Sequence, residues 1–422
     1  MITVADNQRK VYMIAGGMTP FKKINFNDDF RLNVKHSLDY ALKDSGMKTE
    51  DIDGSVSAYF SDHLQGQLIA GAMSNDFIGL AGKPSKRIEG GGATGGLAFQ
   101  TAYEEIASGT MDTCLAYGFE NMSHVGTWRG NDIIALGSDA SFDYPLGGFY
   151  TAYYALMATR HMYEFGTTEK QMAMVSVKNH GNAMHNPYAQ APMDITVEDV
   201  LKSPVVSSPI KMLDICLMSD GAACAILASE EVAKSVSGKP VLIKSIGSSS
   251  DTMRLADRPF GKVPLLPNEN DSMYRDLKYP GVHSFRAGRL AARMAYRKAG
   301  ITSPEKEIDF AELYDAYTSA EIQAYEDMGF CPYGQGGKFV EDGRSMLDGD
   351  IPVNMEGGLQ ASGHAIGATG IMQAVYAFWQ LQETVHKHLG SNRLQVKNPQ
   401  RGLIHSHAGT GAYEAVTIME AV

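Results

Sequence analysis

The sequence predicts an α/β protein of stacked layers built from two similar halves. Three observations carry this: the chain has 422 residues, a helix–glycine–acidic linker–strand unit occurs twice, and a Gly-Ala-Thr-Gly turn occurs twice. The length exceeds what one ordinary core uses, so two lobes or a doubled unit are expected. The first unit reads ALKDSGMKTEDIDGSVSAYF (41–60) and its echo reads YRKAGITSPEKEIDFAELYDAY (296–317). Each is the end of an amphipathic helix, a Gly stop, an acidic linker, an Ile-Asp pair and an apolar strand. Val34, Leu38, Ala41 and Leu42 share one face of the first helix, the spacing of a core-facing helix.

The repeat runs on. GGATGGLAFQ (91–100) and IGATGIMQAV (366–375) each put the turn at the start of a helix. An apolar strand follows each, TCLAYGFE at 113–120 and GLIHSHAG at 402–409. Strands alternating with helices imply right-handed crossovers and mostly parallel sheets. The first half spans about 1–250 and the second about 270–422, joined by the polar, proline-containing SSSDTMRLADRPFGKVPLLPNEND. Residues 121–205, rich in Met, Tyr, Gly and Asn, read as a long irregular loop domain, the kind of segment that serves as a lid or interface.

Composition narrows the partners. The formal charge is −11, from 37 Lys and Arg against 48 Asp and Glu, with no basic run. Nucleic acid is therefore excluded as the main partner, since phosphate neutralisation needs a concentrated basic face. No apolar stretch is long enough to span a bilayer, and MITVADNQRKVYMIAGG lacks the order of a signal peptide. The four cysteines, Cys114, Cys216, Cys224 and Cys331, show no CxxC spacing, which speaks for reduced thiols in a cytoplasm and against a metal site.

Several segments together resemble the thiolase superfamily, in its sterol-carrier-protein and archaeal branch. IAGGMTPF resembles the opening strand of that branch, and KNHGNAMHNPYAQ (178–190) its loop-domain motif. LMSDGAACAIL (217–227) resembles the strand pair that closes the first half. The most specific segments are EDMGFCPYGQGGKFVEDG and IPVNMEGGLQASGHAIGATG. The resemblance implies a five-layered α/β/α/β/α thiolase fold from two pseudo-symmetric repeats with an inserted loop domain.

It also fixes where to look for the site. Thiolases attack a 3-oxoacyl thioester with a cysteine in a turn like Asn-Asn-Asn-Cys-Ala-Thr-Gly-Ser; the matching segment here runs from Glu89 to Gly96, with Gly92 at the nucleophile. A second branch cysteine lies in His-Asp-Cys-Phe, where this chain has Tyr314-Asp315-Ala316-Tyr317. Both thiols are thus replaced, and an acyl-cysteine route lacks its thiolate. His364 matches the Gly-His-Pro histidine that polarises the thioester or ketone oxygen. His405 aligns with the acid/base cysteine of Cys-x-Gly-Gly-Gly-x-Gly, followed by His407. The resemblance implies His364, His405 and Tyr314 as catalytic, with Gly92, Ala316, Tyr317 and His407 forming the active-site turn and wall. Histidines and tyrosines can donate to an oxyanion and move protons near neutral pH. Asn179 and His180 are expected to hold the loop domain, and the cysteines to pack.

The activity implied is retro-Claisen cleavage of a bulky or aromatic 3-oxoacyl-CoA by free CoA, as in two-subunit thiolases of the benzoylsuccinyl-CoA type. Small residues at Gly92 and Ala316 would widen the pocket. CoA enters as substrate or product, and no covalently bound cofactor is expected. A homodimer pairing edge strands near 113–119 and a small zinc-ribbon/OB-fold subunit, docked on the loop domain or the region after Gly329, complete the expectation. Three alternatives stand beside it. One is a retro-aldol lyase acting on a branched 3-hydroxyacyl-CoA, whose superfamily relatives carry Gly-Gly-Gly-Ala at the turn. Another is a non-catalytic scaffold. The third is a NAD-binding oxidoreductase, because residues 90–95 also satisfy GxGxxG and Glu120 ends the next strand.

Overall fold

The computed structural model describes residues 9–23, 29–236, 238–258, 263–277 and 280–422. Residues 1–8 of the N-terminal stretch read for a signal and 259–262 of the join lie outside them. The nine strands of the main ladder are β1 (Val11–Met18), β2 (Gly54–Ala58), β3 (Ser85–Ile88), β4 (Thr113–Asn121), β5 (Asp220–Ser229), β6 (Val241–Ser250), β7 (Phe310–Glu312), β8 (Arg401–Ala408) and β9 (Tyr413–Ala421). Their spatial order is β3-β2-β4-β5-β1-β6-β9-β8-β7. The helices that matter are α1 (Phe30–Ser45), α2 (Thr94–Ala107), α3 (Tyr150–Phe165), α4 (Glu169–Ala183), α5 (Arg286–Ala299), α6 (Thr318–Asp327) and α7 (Ile366–Gln382).

The doubling is visible strand by strand. In the first half β2 runs parallel to β4, β4 antiparallel to β5 and β5 antiparallel to β1. In the second, β7 is parallel to β8, β8 antiparallel to β9 and β9 antiparallel to β6. The half-sheets meet where Tyr12 and Met13 pair with Leu242 and Val241. The glycine stops recur as well: Gly46 ends α1 at φ 71° and Gly300 ends α5 at φ 74°, the left-handed cap that a side chain resists. Val34, Leu38 and Ala41 are buried as their spacing requires. These features make the thiolase fold, with mixed sheets rather than the mostly parallel ones expected. Among the described residues three of the eight ladders of this nine-stranded sheet are parallel. The last strand of each half returns antiparallel beside the one before it, through a short turn between β8 and β9 and through the loop domain between β4 and β5.

Between the sheets α2 and α7 cross, and α7 is buried on every side from Ile366 to Leu381, as a central helix with an apolar surface all round should be. The repeated Gly-Ala-Thr-Gly turns are what allow the crossing. A Cβ on Gly95 would lie 2.7 Å from the Gly370 nitrogen, and one on Gly370 would lie 2.3 Å from the Gly96 nitrogen. Each turn's last glycine is the contact for the other helix.

One expectation about surfaces is corrected. Strand β4 is not an edge, because β2 and β5 pair with it on both sides; the exposed edge of the first half is β3. The segment after Gly329 turns its apolar side chains inward, with Phe330, Cys331 and Phe339 all buried. The stretch 121–205 is also more regular than its composition suggests. Thr168 and Gln171 form a capping box that starts α4, and Gly166 stops α3. Among the described residues no helix is long and apolar enough to cross a membrane.

Candidate active site

The turn before α2 is a single 3-10 turn over Gly91–Ala93, locked by Thr94, whose Oγ1 donates to Gly91 O at 2.6 Å and accepts from Gly90 N at 2.9 Å. Across from it, Tyr314 follows the short strand β7 and points its hydroxyl at this turn. A Cβ built on Gly92 would stand 2.3 Å from the Tyr314 oxygen and 2.4 Å from the carbonyl oxygen of His407. The place of a nucleophilic side chain is therefore occupied by a phenol. The widened pocket expected at Gly92 does not exist, because Tyr314 fills the volume that the glycine vacates. Ala316 is buried as well, its carbonyl accepting from Cys216 N at 2.9 Å.

The Tyr314 hydroxyl lies 2.9 Å from His364 Nε2, and His364 Nδ1 lies 2.8 Å from Thr369 Oγ1. Thr369 gives its own proton to Ala365 O at 3.0 Å. His364 Nδ1 must then be the donor to Thr369, which leaves a lone pair on Nε2 and makes Tyr314 the donor. Ionisation states agree with this order. Burial pushes the His364 imidazolium down to about 3 and holds the Tyr314 phenol well above its ordinary value, so the pair is neutral with its proton on oxygen. The backbone N–H of His364 is fixed by Ser219 Oγ at 2.8 Å.

His407 and His405 point to the same side of β8, as alternate residues on a strand do. The His407 ring packs 4.6 Å from Tyr314 and 4.4 Å from Phe285, centroid to centroid. Its Nε2 is 2.5 Å from the Tyr154 hydroxyl, which also lies 2.6 Å from Gly409 O. His405 lies one step deeper, its Nε2 2.7 Å from Glu414 Oε2. His407, not His405, thus stands beside the phenol. Helix α3 closes the site from the loop-domain side. Tyr154 stacks on Tyr317 at 4.1 Å, and Thr151 Oγ1 meets the Tyr317 hydroxyl at 2.9 Å.

Sequence reasoning did not find Tyr154, Thr369 or Glu414. Thr369 carried a signal, since it is the threonine of the second Gly-Ala-Thr-Gly turn. Tyr154 carried none, because only the fold brings α3 over β8. Asn179 donates to Asp315 Oδ2 and Glu321 Oε2, both at 2.9 Å, and His180 Nδ1 bonds Ala191 O at 2.9 Å. The Cys216 thiol is pushed up to about 12 by burial and Asp315. Cys114, Cys224 and Cys331 are buried and free. Glu120 is not offered to a ribose. It is fully buried and accepts from Phe60 N at 2.8 Å, Gln65 Nε2 at 2.5 Å and Gly367 N at 3.0 Å.

A two-lobed fold with a helix-start turn facing a histidine loop defines an acyl-thioester enzyme architecture, and comparison with known proteins identifies it. The thiolase N-terminal domain matches residues 11–231 and the thiolase C-terminal domain-like family matches 275–421; the chain belongs to the thiolase family. It is 38 % identical over 417 residues to an acetyl-CoA acetyltransferase of Methanothermobacter thermautotrophicus, covering 97 % of this chain and 99 % of that one. It is 31 % identical over 380 residues to the benzoylsuccinyl-CoA thiolase subunit BbsB of Thauera aromatica, covering 89 % and 90 %. Among solved structures, the Ltp2-ChsH2(DUF35) aldolase superposes with a TM-score of 0.77 at 22 % identity, covering 98 % of each chain.

Proposed function

We propose that this chain cleaves, or in reverse forms, the carbon–carbon bond of a 3-oxoacyl-CoA by thiolysis, without an acyl-cysteine intermediate. The observation that supports it most directly is the Tyr314 phenol in the volume a nucleophile at position 92 would fill, donating to a neutral His364. A phenol in that place is an acid/base group, not an acyl carrier. The CoA thiol, whose intrinsic pKa resembles that of free cysteine at about 8.5, passes its proton to the Tyr314 oxygen, and the phenolic proton moves to His364 Nε2 only as sulfur bonds to the ketone carbon, because burial disfavours a standing imidazolium. The thiolate attacks the ketone carbon, the C2–C3 bond breaks, and the proton returns through Tyr314 to C2 of the departing acyl-CoA. His405 and His407 form the wall behind the phenol. The acyl group is left open, since the size argument from Gly92 falls away.

A retro-aldol reading rests on the same pair, because Tyr314 and His364 would take a proton equally well from a substrate hydroxyl. We further propose a homodimer joined through the exposed edge β3. A small zinc-ribbon/OB-fold subunit would dock on the loop domain, where Trp128, Leu146 and Tyr163 are exposed. The test is substrate cleavage with that subunit present, with and without free CoA, followed by acid quench and intact mass. Thiolysis predicts one CoA consumed per cleavage, no adduct on any cysteine, and a loss of roughly 100- to 1,000-fold in Tyr314→Phe and His364→Ala. Cleavage that proceeds equally well without CoA gives the lyase, an adduct on any cysteine overturns the direct attack, and no cleavage in either condition gives the scaffold.

A further inference from the structure

We propose that His405, His407 and Glu414 form a binding site for a first-row divalent cation, with Zn2+ the first candidate. The three residues sit on one face of the β8–β9 hairpin. Glu414 is directly opposite His407 in the register and reaches diagonally to His405, which faces Val416. Two histidines two residues apart on one strand, with a third donor from the antiparallel neighbour, present their ligands from rigid backbone. All three side chains are 0 % exposed, and one ligand atom from each lies within 4.8 Å of the others.

The second observation is what these side chains lack. Tyr154 has one proton and two neighbours; giving it to Gly409 O makes His407 Nε2 the donor to the phenol and leaves a lone pair on His407 Nδ1. His405 Nε2 donates to Glu414 Oε2, which leaves a lone pair on His405 Nδ1. Among the described residues neither Nδ1 has a partner, and neither does Glu414 Oε1. Three unsatisfied acceptors at full burial on three neighbouring residues are unfavourable, and an ion is one of the ordinary explanations for such atoms. Two imidazole nitrogens and a carboxylate oxygen are a zinc donor set. The Tyr154 phenol on His407 Nε2 is an outer partner of the kind that metal-bound histidines use.

Arg258 lies behind Glu414 and is paired with Asp251 at 3.3 Å. Burial holds the Glu414 carboxyl well above its ordinary range, so an ion entering here displaces a proton, as metal binding to protonated ligands does. Tetrahedral bonds near 2.1 Å place ligand atoms about 3.4 Å apart, so closing the site takes side-chain rotations in which Glu414 leaves His405 Nε2 and turns to the ion. The inference is independent of the reaction, since its readout is metal content.

Full-length protein incubated with Zn2+, then freed of excess metal and analysed by elemental mass spectrometry, should hold about one ion per chain. Co2+ in its place should show the visible bands of a tetrahedral complex. His405→Ala and the near-isosteric Glu414→Gln should weaken affinity at least about tenfold, with folding monitored by circular dichroism. Wild-type protein that takes up neither Zn2+ nor Co2+ overturns the site without any variant. Unchanged occupancy in both folded variants places the ion elsewhere and overturns it too.

Discussion

Gly92 and Tyr314 define one another. The phenol occupies space that any side chain at 92 would need, and the backbone oxygen of His407 closes the same space from the other side. Gly92→Ala should therefore destabilise the protein by about 1–3 kcal/mol, the range of an overpacked core. In a Tyr314→Phe background the penalty should fall by roughly 0.5–1 kcal/mol, because the nearest of the three obstructing atoms is gone while the ring carbon at 2.8 Å and the His407 oxygen stay. Urea melts of the four proteins would measure the coupling, and strictly additive values would show that the two residues are not in contact. The same pair shows what was legible at this scale. The replacement of the thiol was plain, because a glycine stood in a recognisable turn. That a phenol fills the vacancy was not, since 92 and 314 are brought together only by the docking of the two halves. The hairpin cluster was half legible. His-x-His on a strand stood in view beside His405, but Glu414 joins it only through the β8–β9 register.

The helices α2 and α7 carry the architecture at the next scale. Their closest approach is backbone to backbone at Gly95, Gly96 and Gly370, which leaves nothing flexible to yield. Gly370→Ala should be far worse than an alanine at an ordinary buried helical glycine. We expect a loss at or beyond the upper end of the overpacking range, about 3 kcal/mol, or failure to fold. Gly46→Ala gives the contrast. That glycine has open space around it and sits at φ 71°, ψ 7°, so only the modest penalty of a left-handed alanine applies, about 1–2 kcal/mol. Equal melting temperatures for the two variants would sink the account of the crossing. Glycine periodicity made these helices readable from sequence. The loop-domain helices were not, because the aromatic and methionine content of α3 and α4 masks a 3.6-residue pattern, and only the Thr168–Gln171 capping box marks their boundary.

The whole molecule buries ionisable groups of both kinds, and their opposition fixes how stability should vary with pH. Burial pushes the Glu120 carboxyl up to about 7, and burial with neighbouring carboxylates holds Glu312 and Asp315 well above their usual range. These groups are protonated in the fold and ionised when unfolded. Their contribution is complete below the unfolded value of about 4 and is lost as pH rises through the folded values. Burial pushes His283 and His364 down to about 3. Their contribution has the opposite sense, present above the unfolded value of about 6.5 and lost as pH falls. Between about pH 4 and 6.5 the two sets offset each other; above it the histidines are neutral in both states and only the carboxylates still act. The net charge of −11 adds self-repulsion in the same direction. The melting temperature should therefore fall by roughly 2–5 °C between pH 6.5 and 8.5, since one to two kcal/mol moves a protein of this size by only a few degrees. Glu120→Gln should flatten part of that slope while lowering stability throughout, because with the amide oxygen kept on Phe60 N and Gly367 N its nitrogen turns a donor toward Ser61 N and Gln65 Nε2. Differential scanning calorimetry across that pH window decides it. A melting temperature that rises toward pH 8.5 would mean the buried carboxyls are ionised in the fold, held by their backbone donors against the dry interior.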